Sequence, residues 1–241
     1  MRTQRIVISV AVFVGIALAF GSYLALNYPP ESFRWPANWA WDPATQALVT
    51  PDTGADATQA FVFKSWLDEY VPFVPLLAIP YLSYLLLVPI VTPLLNLAVG
   101  YFKPFLTVGI SLIVGQLFLD LAFWLFQSTV PRTAEVPEGF QGMLVELVWG
   151  NDQPFNGYPS GHITWTTIAI ISLWRLRHRL PKTAWIMMLW LLLIYPATLM
   201  LQQHYLMDVY AGLFVGFTTY WAVMFVVERP TLAIDKLGGS K

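Results

Sequence analysis

Apolar residues run along this chain in blocks long enough to matter for a membrane. A bilayer-crossing helix needs roughly 20 consecutive apolar residues. Six blocks approach or reach that length, at Ile6–Leu26, Val74–Leu95, Phe105–Phe126, Ile163–Leu176, Ala184–Leu201 and Val209–Val227. The pattern predicts an all-α polytopic membrane protein, a six-transmembrane-helix bundle. Arg2 and Arg5 before the first block resemble the charged start of a secretory leader, but the block is long for one and no A-x-A site closes it, so a retained helix is expected. No internal repeat, low-complexity tract or linker divides the chain, and a single membrane domain over 1–241 is expected. It comprises the first helix and an outer loop (1–73), a five-helix core (74–227) and a tail (228–241).

Two polar stretches interrupt the blocks. Asn27–Phe73 is rich in Pro, Trp, Asp and Thr, and its tryptophans suit the headgroup level, where indole is enriched. Gln127–Tyr158 is the other. Composition agrees with the pattern: 57% of residues are hydrophobic and 11% charged, against about 45–50% and 25% in soluble domains. The net charge of -1 gives no argument for a nucleic-acid partner. The absence of cysteine excludes disulfides, thiolate ligands and cysteine nucleophiles.

Where the charges sit says more than their sum. With six alternating helices, Arg2, Arg5, Lys103, Arg175, Arg177, Arg179, Lys182, Arg229, Lys236 and Lys241 fall on one side, and Arg34, Lys64 and Arg132 on the other. Cytoplasmic loops carry the excess of Lys and Arg, so both termini are expected in the cytoplasm and the two polar loops outside a plasma or inner membrane. His178, inside "RLRHRL", belongs to the basic cytoplasmic loop on this reading.

Arg132, Ser160, His162, His204 and Asp208 then share the outer face. If the last helix begins near Gln203, His204 and Asp208 stand four apart on one face. A carboxylate there can fix the tautomer of the imidazole and leave its other nitrogen a lone pair; a self-satisfied polar pair at a helix end is the plain alternative. In "YPSGHITW", Pro suits a first helical turn and Ser and Gly the adjoining cap, so the stretch launches the fourth span. Helix starts leave amides free and attract anions. His162 would project from that turn as a proton donor. Arg132, in "STVPRTAEVPEG", has the planar, always-charged group that suits phosphate oxygens, although a surface arginine is equally ordinary. Together these parts describe metal-free phosphoryl transfer through a phosphohistidine, with no cofactor, since no cluster of carboxylates or histidines looks like a two-metal site. Asp120, the one acid inside a predicted span, is expected to face the bundle and make a structural hydrogen bond ahead of any pocket role.

With these residues in view, the chain resembles the type 2 phosphatidic acid phosphatase superfamily, whose pattern is K-x6-R-P, P-S-G-H and S-R-x5-H-x3-D. "YPSGH" at Tyr158–His162 matches the second motif, and "HYLMD" at His204–Asp208 supplies the histidine and aspartate of the third. The likeness runs from about Asp68 to Val227 and is similar to the inositol phosphorylceramide synthase-like branch. It implies His204 as nucleophile, Asp208 as its partner, His162 as acid for the leaving group, and Arg132, Ser160 and Gly161 as phosphate ligands. Leu125 stands in place of the first motif's lysine, Thr133 in place of its proline, and Ala197 and Thr198 in place of serine and arginine. The missing cations imply an inactive site, recruitment of Lys64, Gln202 or Gln203, or a phosphodiester substrate. The expected partners are the bilayer, a lipid phosphate or phosphodiester entering between helices, and for transfer a lipid alcohol acceptor. A lipid transporter or a non-catalytic binding protein with the same fold is the competing class.

Overall fold

The computed structural model describes residues 2–27, 40–42, 47–49, 62–125, 128–130, 132 and 134–229. Trp35, Trp39, Arg34, Thr133 and the tail from 230 lie outside the described residues. Among the described residues the architecture is helical, apart from two short strands, Ala40–Asp42 (β1) and Ala47–Val49 (β2), that pair antiparallel. The helices are α1 (Arg2–Asn27), α2 (Ala78–Leu86), α3 (Thr92–Ala98), α4 (Phe102–Leu125), α5 (Phe140–Asn151), α6 (Gly161–Leu176), α7 (Pro181–Leu192), α8 (Ile194–Met200) and α9 (Leu206–Glu228).

Among the described residues, five helical stretches are long and apolar enough to cross a membrane: Thr3–Leu26, Pro75–Ala98, Phe102–Leu125, Pro181–Met200 and Leu206–Glu228. They coincide with five of the six expected spans. The remaining one, α6, has 16 residues, or about 24 Å of helix, short of a hydrocarbon core of about 30 Å. Its surroundings explain the sequence. Ile163 through Ala169, then Ser172, Leu173 and Leu176, are buried, with α4, α7, α8 and α9 packed around it. A helix wrapped by protein needs neither the length nor the unbroken apolarity of one facing lipid.

The second span is broken rather than continuous. A π-helical turn, Leu87–Val91, joins α2 to α3. It contains Pro89 and is followed by Pro93, whose missing N–H groups interrupt the α ladder. Thr92 closes the turn on the Leu87 carbonyl, which accepts from its amide and, at 2.9 Å, from its hydroxyl. The expected outer loop 127–158 contains a helix that its polarity concealed. α5 buries Gly142, Leu144, Val145 and Val148 on one side. Leu144 and Val148 pack with Ala78, Tyr81, Ala197 and Leu201.

Two ends of the bundle are chemically distinct. At one, Arg175 makes a bidentate pair with Glu228, whose carboxylate also accepts from Thr107, and Arg5 lies over Phe102 at 5.3 Å. Arg179 reaches Tyr101 there, and His178 stands in the adjoining turn. The other end holds the two remaining histidines. α6 and α9 approach closely because Gly212 and Gly216 face α6. A Cβ on Gly212 would lie 2.6 Å from the Ser160 carbonyl oxygen, and one on Gly216 would lie 2.5 Å from that of Thr164.

Asp120 is bound across the bundle. Its two oxygens accept from Ser22 of α1 at 2.7 Å and Gln116 of α4 at 2.8 Å. These contacts tie α1, otherwise exposed along much of its length, to α4.

Candidate active site

Ser160 caps α6. Its side-chain oxygen accepts from the Ile163 amide at 3.3 Å, so the helix begins at Gly161 and Pro159 precedes the cap instead of occupying the first turn as expected. The amides of Gly161 and His162 then stand at the first two helical positions, where a helix provides no internal acceptor. A Cβ on Gly161 would meet only Leu119, at an ordinary 3.6 Å, so space alone does not require glycine there.

His204 arrives from the other side, in the bend before α9. The expectation that it shares a helical face with Asp208 needs correcting, because α9 starts only at Leu206. The two side chains nevertheless meet, with Nδ1 of His204 3.6 Å from Oδ2 of Asp208. Asp208 is placed by capping: the same oxygen accepts from the Tyr205 amide at 2.8 Å. The nearer partner of His204 Nδ1 is the Gly157 carbonyl oxygen, at 3.0 Å. An acceptor-only carbonyl selects the Nδ1–H tautomer and leaves the lone pair on Nε2. That Nε2 is buried without a hydrogen-bond partner among the described residues, as is the side-chain nitrogen of Gln203.

The rings of His162 and His204 are 5.7 Å apart, centre to centre. Residues 42 apart in the chain are thus brought into contact by the close approach of α6 and α9. His162 is sandwiched in aromatic rings: Tyr81 stacks on it at 4.6 Å and Tyr84 lies at 4.7 Å. Beside it stands Asp152, with Oδ2 3.8 Å from His162 Nε2. Burial works against the charge of Asp152, but His162 and the hydroxyls of Tyr23 and Tyr81 outweigh it and hold its carboxyl below the usual range.

Arg132 reaches this end of the bundle but is engaged by protein. Its guanidinium donates to the carbonyls of Trp149, at 3.1 Å, and Asp152, and to the Gln203 side-chain oxygen at 3.0 Å, and it lies over the Trp149 ring at 5.2 Å. Gln202 accepts from the Ala134 amide at 3.0 Å. Lys64 pairs with Glu69 at 3.6 Å on the surface. It lines, with Asp68, Gln202, Tyr205 and His204, a polar cavity of about 260 Å³. Asp68 fastens this rim to the last span by accepting from the Leu206 amide at 2.8 Å.

A second cavity, of about 420 Å³ and lined mostly by apolar side chains, approaches His162 between α1, α2 and α5. Phe20 and Leu85 also line a third, wholly apolar hollow of about 420 Å³ beside Phe13, Ile16 and Ile90. The histidine pair is thus flanked by an apolar groove on the His162 side and a polar one on the His204 side. Among the described residues no three or more His, Asp or Glu side chains gather to hold a metal ion.

Sequence reasoning missed Asp152, Tyr23, Tyr81 and Gly157. Asp152 stands in "GNDQPF", which reads as a turn, and the tyrosines sit in apolar blocks where an aromatic ring is unremarkable. Gly157 alone leaves a trace, since a Cβ there would crowd Val130 at 2.7 Å and Asp208 at 3.2 Å.

Nothing among curated proteins and nothing among solved structures matches the chain. The family model of the PAP2 superfamily matches residues 77–231, which spans both histidines, Asp208 and α2 to α9. That is well over half of the 241 residues, and the chain belongs to the PAP2 superfamily.

Proposed function

We propose that this protein is a metal-independent lipid phosphatase or phosphotransferase that works through a phosphohistidine at the non-cytoplasmic leaflet. Membership of a superfamily of phosphatases and phosphotransferases supports the class. The observation that carries the reading is the buried, unpartnered Nε2 of His204 beside His162. Nε2 attacks phosphorus, the N–P bond forms as the bond to the leaving oxygen breaks, and His162 gives that oxygen its proton. Water or an alcohol then attacks phosphorus, loses its proton to His162 and releases Nε2. The amides at the start of α6 supply the anion-binding part. The topology that fits is six spans, with α6 the shielded one, both termini cytoplasmic, and the basic end of the bundle facing the cytoplasm.

The apolar groove between α1 and α2 suits lateral entry of a lipid, its chains beside Phe13, Phe20 and Leu85 and its ester near His162. A phosphodiester reading is favoured by Arg132. Its donors serve Trp149, Asp152 and Gln203, so the site is poorer in uncommitted cations than a dianionic monoester needs. A headgroup that stays on phosphorus would have the polar cavity beside His204. Such headgroup transfer, as in inositol phosphorylceramide or sphingomyelin synthases, is the second reading.

Purified protein with chelator present and ³²P-labelled phosphatidic acid or phosphatidylinositol separates the readings. Turnover is expected to persist in chelator. Free phosphate from phosphatidic acid, or inositol phosphate from phosphatidylinositol, as the sole labelled product supports hydrolysis, and label appearing on an added lipid alcohol supports transfer. No turnover of either lipid, or turnover abolished by chelator, contradicts the proposal.

A further inference from the structure

We propose that Asp152 is a positioning carboxylate for His162, held by Tyr23 and Tyr81, so that the site works as two histidine–carboxylate pairs instead of one. This rests on the reading of His162 as the proton donor. Three separate elements converge to place that carboxylate: Tyr23 of α1 donates to Oδ1, and Tyr81 of α2 donates to Oδ2 at 2.5 Å. The residue itself terminates α5. Its main-chain oxygen is pinned as well, by Arg132. So the guanidinium expected to grip phosphate here also steadies the residue behind the second histidine.

The chemistry of the arrangement points to proton handling. Two hydroxyls that can reach a carboxylate only as donors keep it an acceptor, and an ionised acid so placed favours a proton on the neighbouring imidazole. The Tyr81 hydroxyl lies 3.5 Å from Nδ1 of His162, at the outer limit of a hydrogen bond, while Asp152 lies 3.8 Å from Nε2. Each ring nitrogen therefore has a member of the Tyr81–Asp152 pair beside it. Around His162 the titratable groups are Tyr23, Tyr81, Tyr84, Asp152 and His204, with the amide of Gln116 contributed by α4. Asp152 is the one acid in that set. His162 must carry its proton when the leaving oxygen departs, and Asp152 keeps its negative charge throughout, accepting no proton.

A leaving group that needs no proton separates this role from a structural one. Full-length protein in detergent would be assayed on dioctanoyl phosphatidic acid, whose alkoxide must be protonated, and on p-nitrophenyl phosphate, whose phenolate leaves unaided. With Asp152→Asn, kcat/KM on the alkyl ester is expected to fall about 10²-fold, the aryl ester to lose less than about 5-fold, and the alkaline limb of the alkyl profile to move to lower pH. Asp152→Glu should recover part of the loss. Equal losses on both substrates with an unshifted pH profile would overturn the proposal. Should Asp152→Asn fail to fold, Tyr81→Phe takes its place, since it keeps ring and carboxylate while removing the bridging hydroxyl; selective loss on the alkyl ester supports the role and equal loss refutes it. Where the unaltered protein accepts only diesters, the same comparison is made on phosphatidylinositol and bis(p-nitrophenyl) phosphate; if it turns over none of the four, the phosphotransfer reading itself has failed, a result distinct from the variants behaving alike.

Discussion

Replacing His204 with alanine is expected to reduce turnover of a lipid phosphate by about 10⁴-fold or more, because the attacking atom is removed and nothing nearby replaces it. Asp208→Asn should cost far less, about 10- to 100-fold. Nδ1 of His204 already has the Gly157 carbonyl at 3.0 Å, whereas Asp208 stands at 3.6 Å. The carbonyl keeps the tautomer when the carboxylate is lost, and what disappears is the charge that steadies the ring as it becomes cationic. The contrast is the informative part. A simple helix-end polar pair gives two small effects, whereas a nucleophile with two orienters gives one very large and one moderate effect. Initial rates with the two variants, at matched folded fraction, measure it.

The second large effect is expected from Gly212→Val, which touches no reacting atom. A Cβ at 212 would lie 2.6 Å from the Ser160 carbonyl oxygen and 3.0 Å from the Ile163 Cβ, and two further methyl groups have nowhere to go. Overpacking of this kind costs about 1–3 kcal/mol. The strain falls where α9 meets the first turn of α6, between the segments that carry His204 and His162. Separation of the rings, now 5.7 Å apart, makes activity fall further than stability does. Gly21→Ala serves as control, since a Cβ there meets nothing within 4 Å. Thermal unfolding in detergent alongside lipid phosphate turnover is the measurement; Gly212→Val behaving like Gly21→Ala would contradict the packing argument.

How far the sequence leads depends on the range of the interaction concerned. Membrane spans are local and one-dimensional, so the apolar blocks located five of them to within a few residues, and "PSGH" and "HYLMD" located residues that the fold brings together. What escaped depends on contacts between elements. α5 lies in a stretch whose polar neighbours mask four buried positions, and what they pack against, Ala78, Tyr81, Ala197 and Leu201, is distant in sequence. Asp152 and His162 are ten apart in sequence, but they meet because α5 ends beside α2, and Tyr23 joins them from 129 residues away. His204 and Asp208 were paired on helical spacing; they meet instead through a cap at the start of α9. The likeness to a family could nominate Arg132 but not its carbonyl partners, since those are main-chain atoms with no side-chain signature.

The central claim concerns one nitrogen atom. Rapid quenching of the protein with ³²P-labelled phosphatidic acid or phosphatidylinositol, followed by peptide mapping under alkaline conditions that preserve phosphoramidates, tests it most directly. An acid-labile, base-stable phosphoryl group on the peptide carrying His204, absent from His204→Ala, is the predicted result. Label on another residue, or lipid turnover with no covalent phosphoryl-protein formed at any quench time, would contradict it.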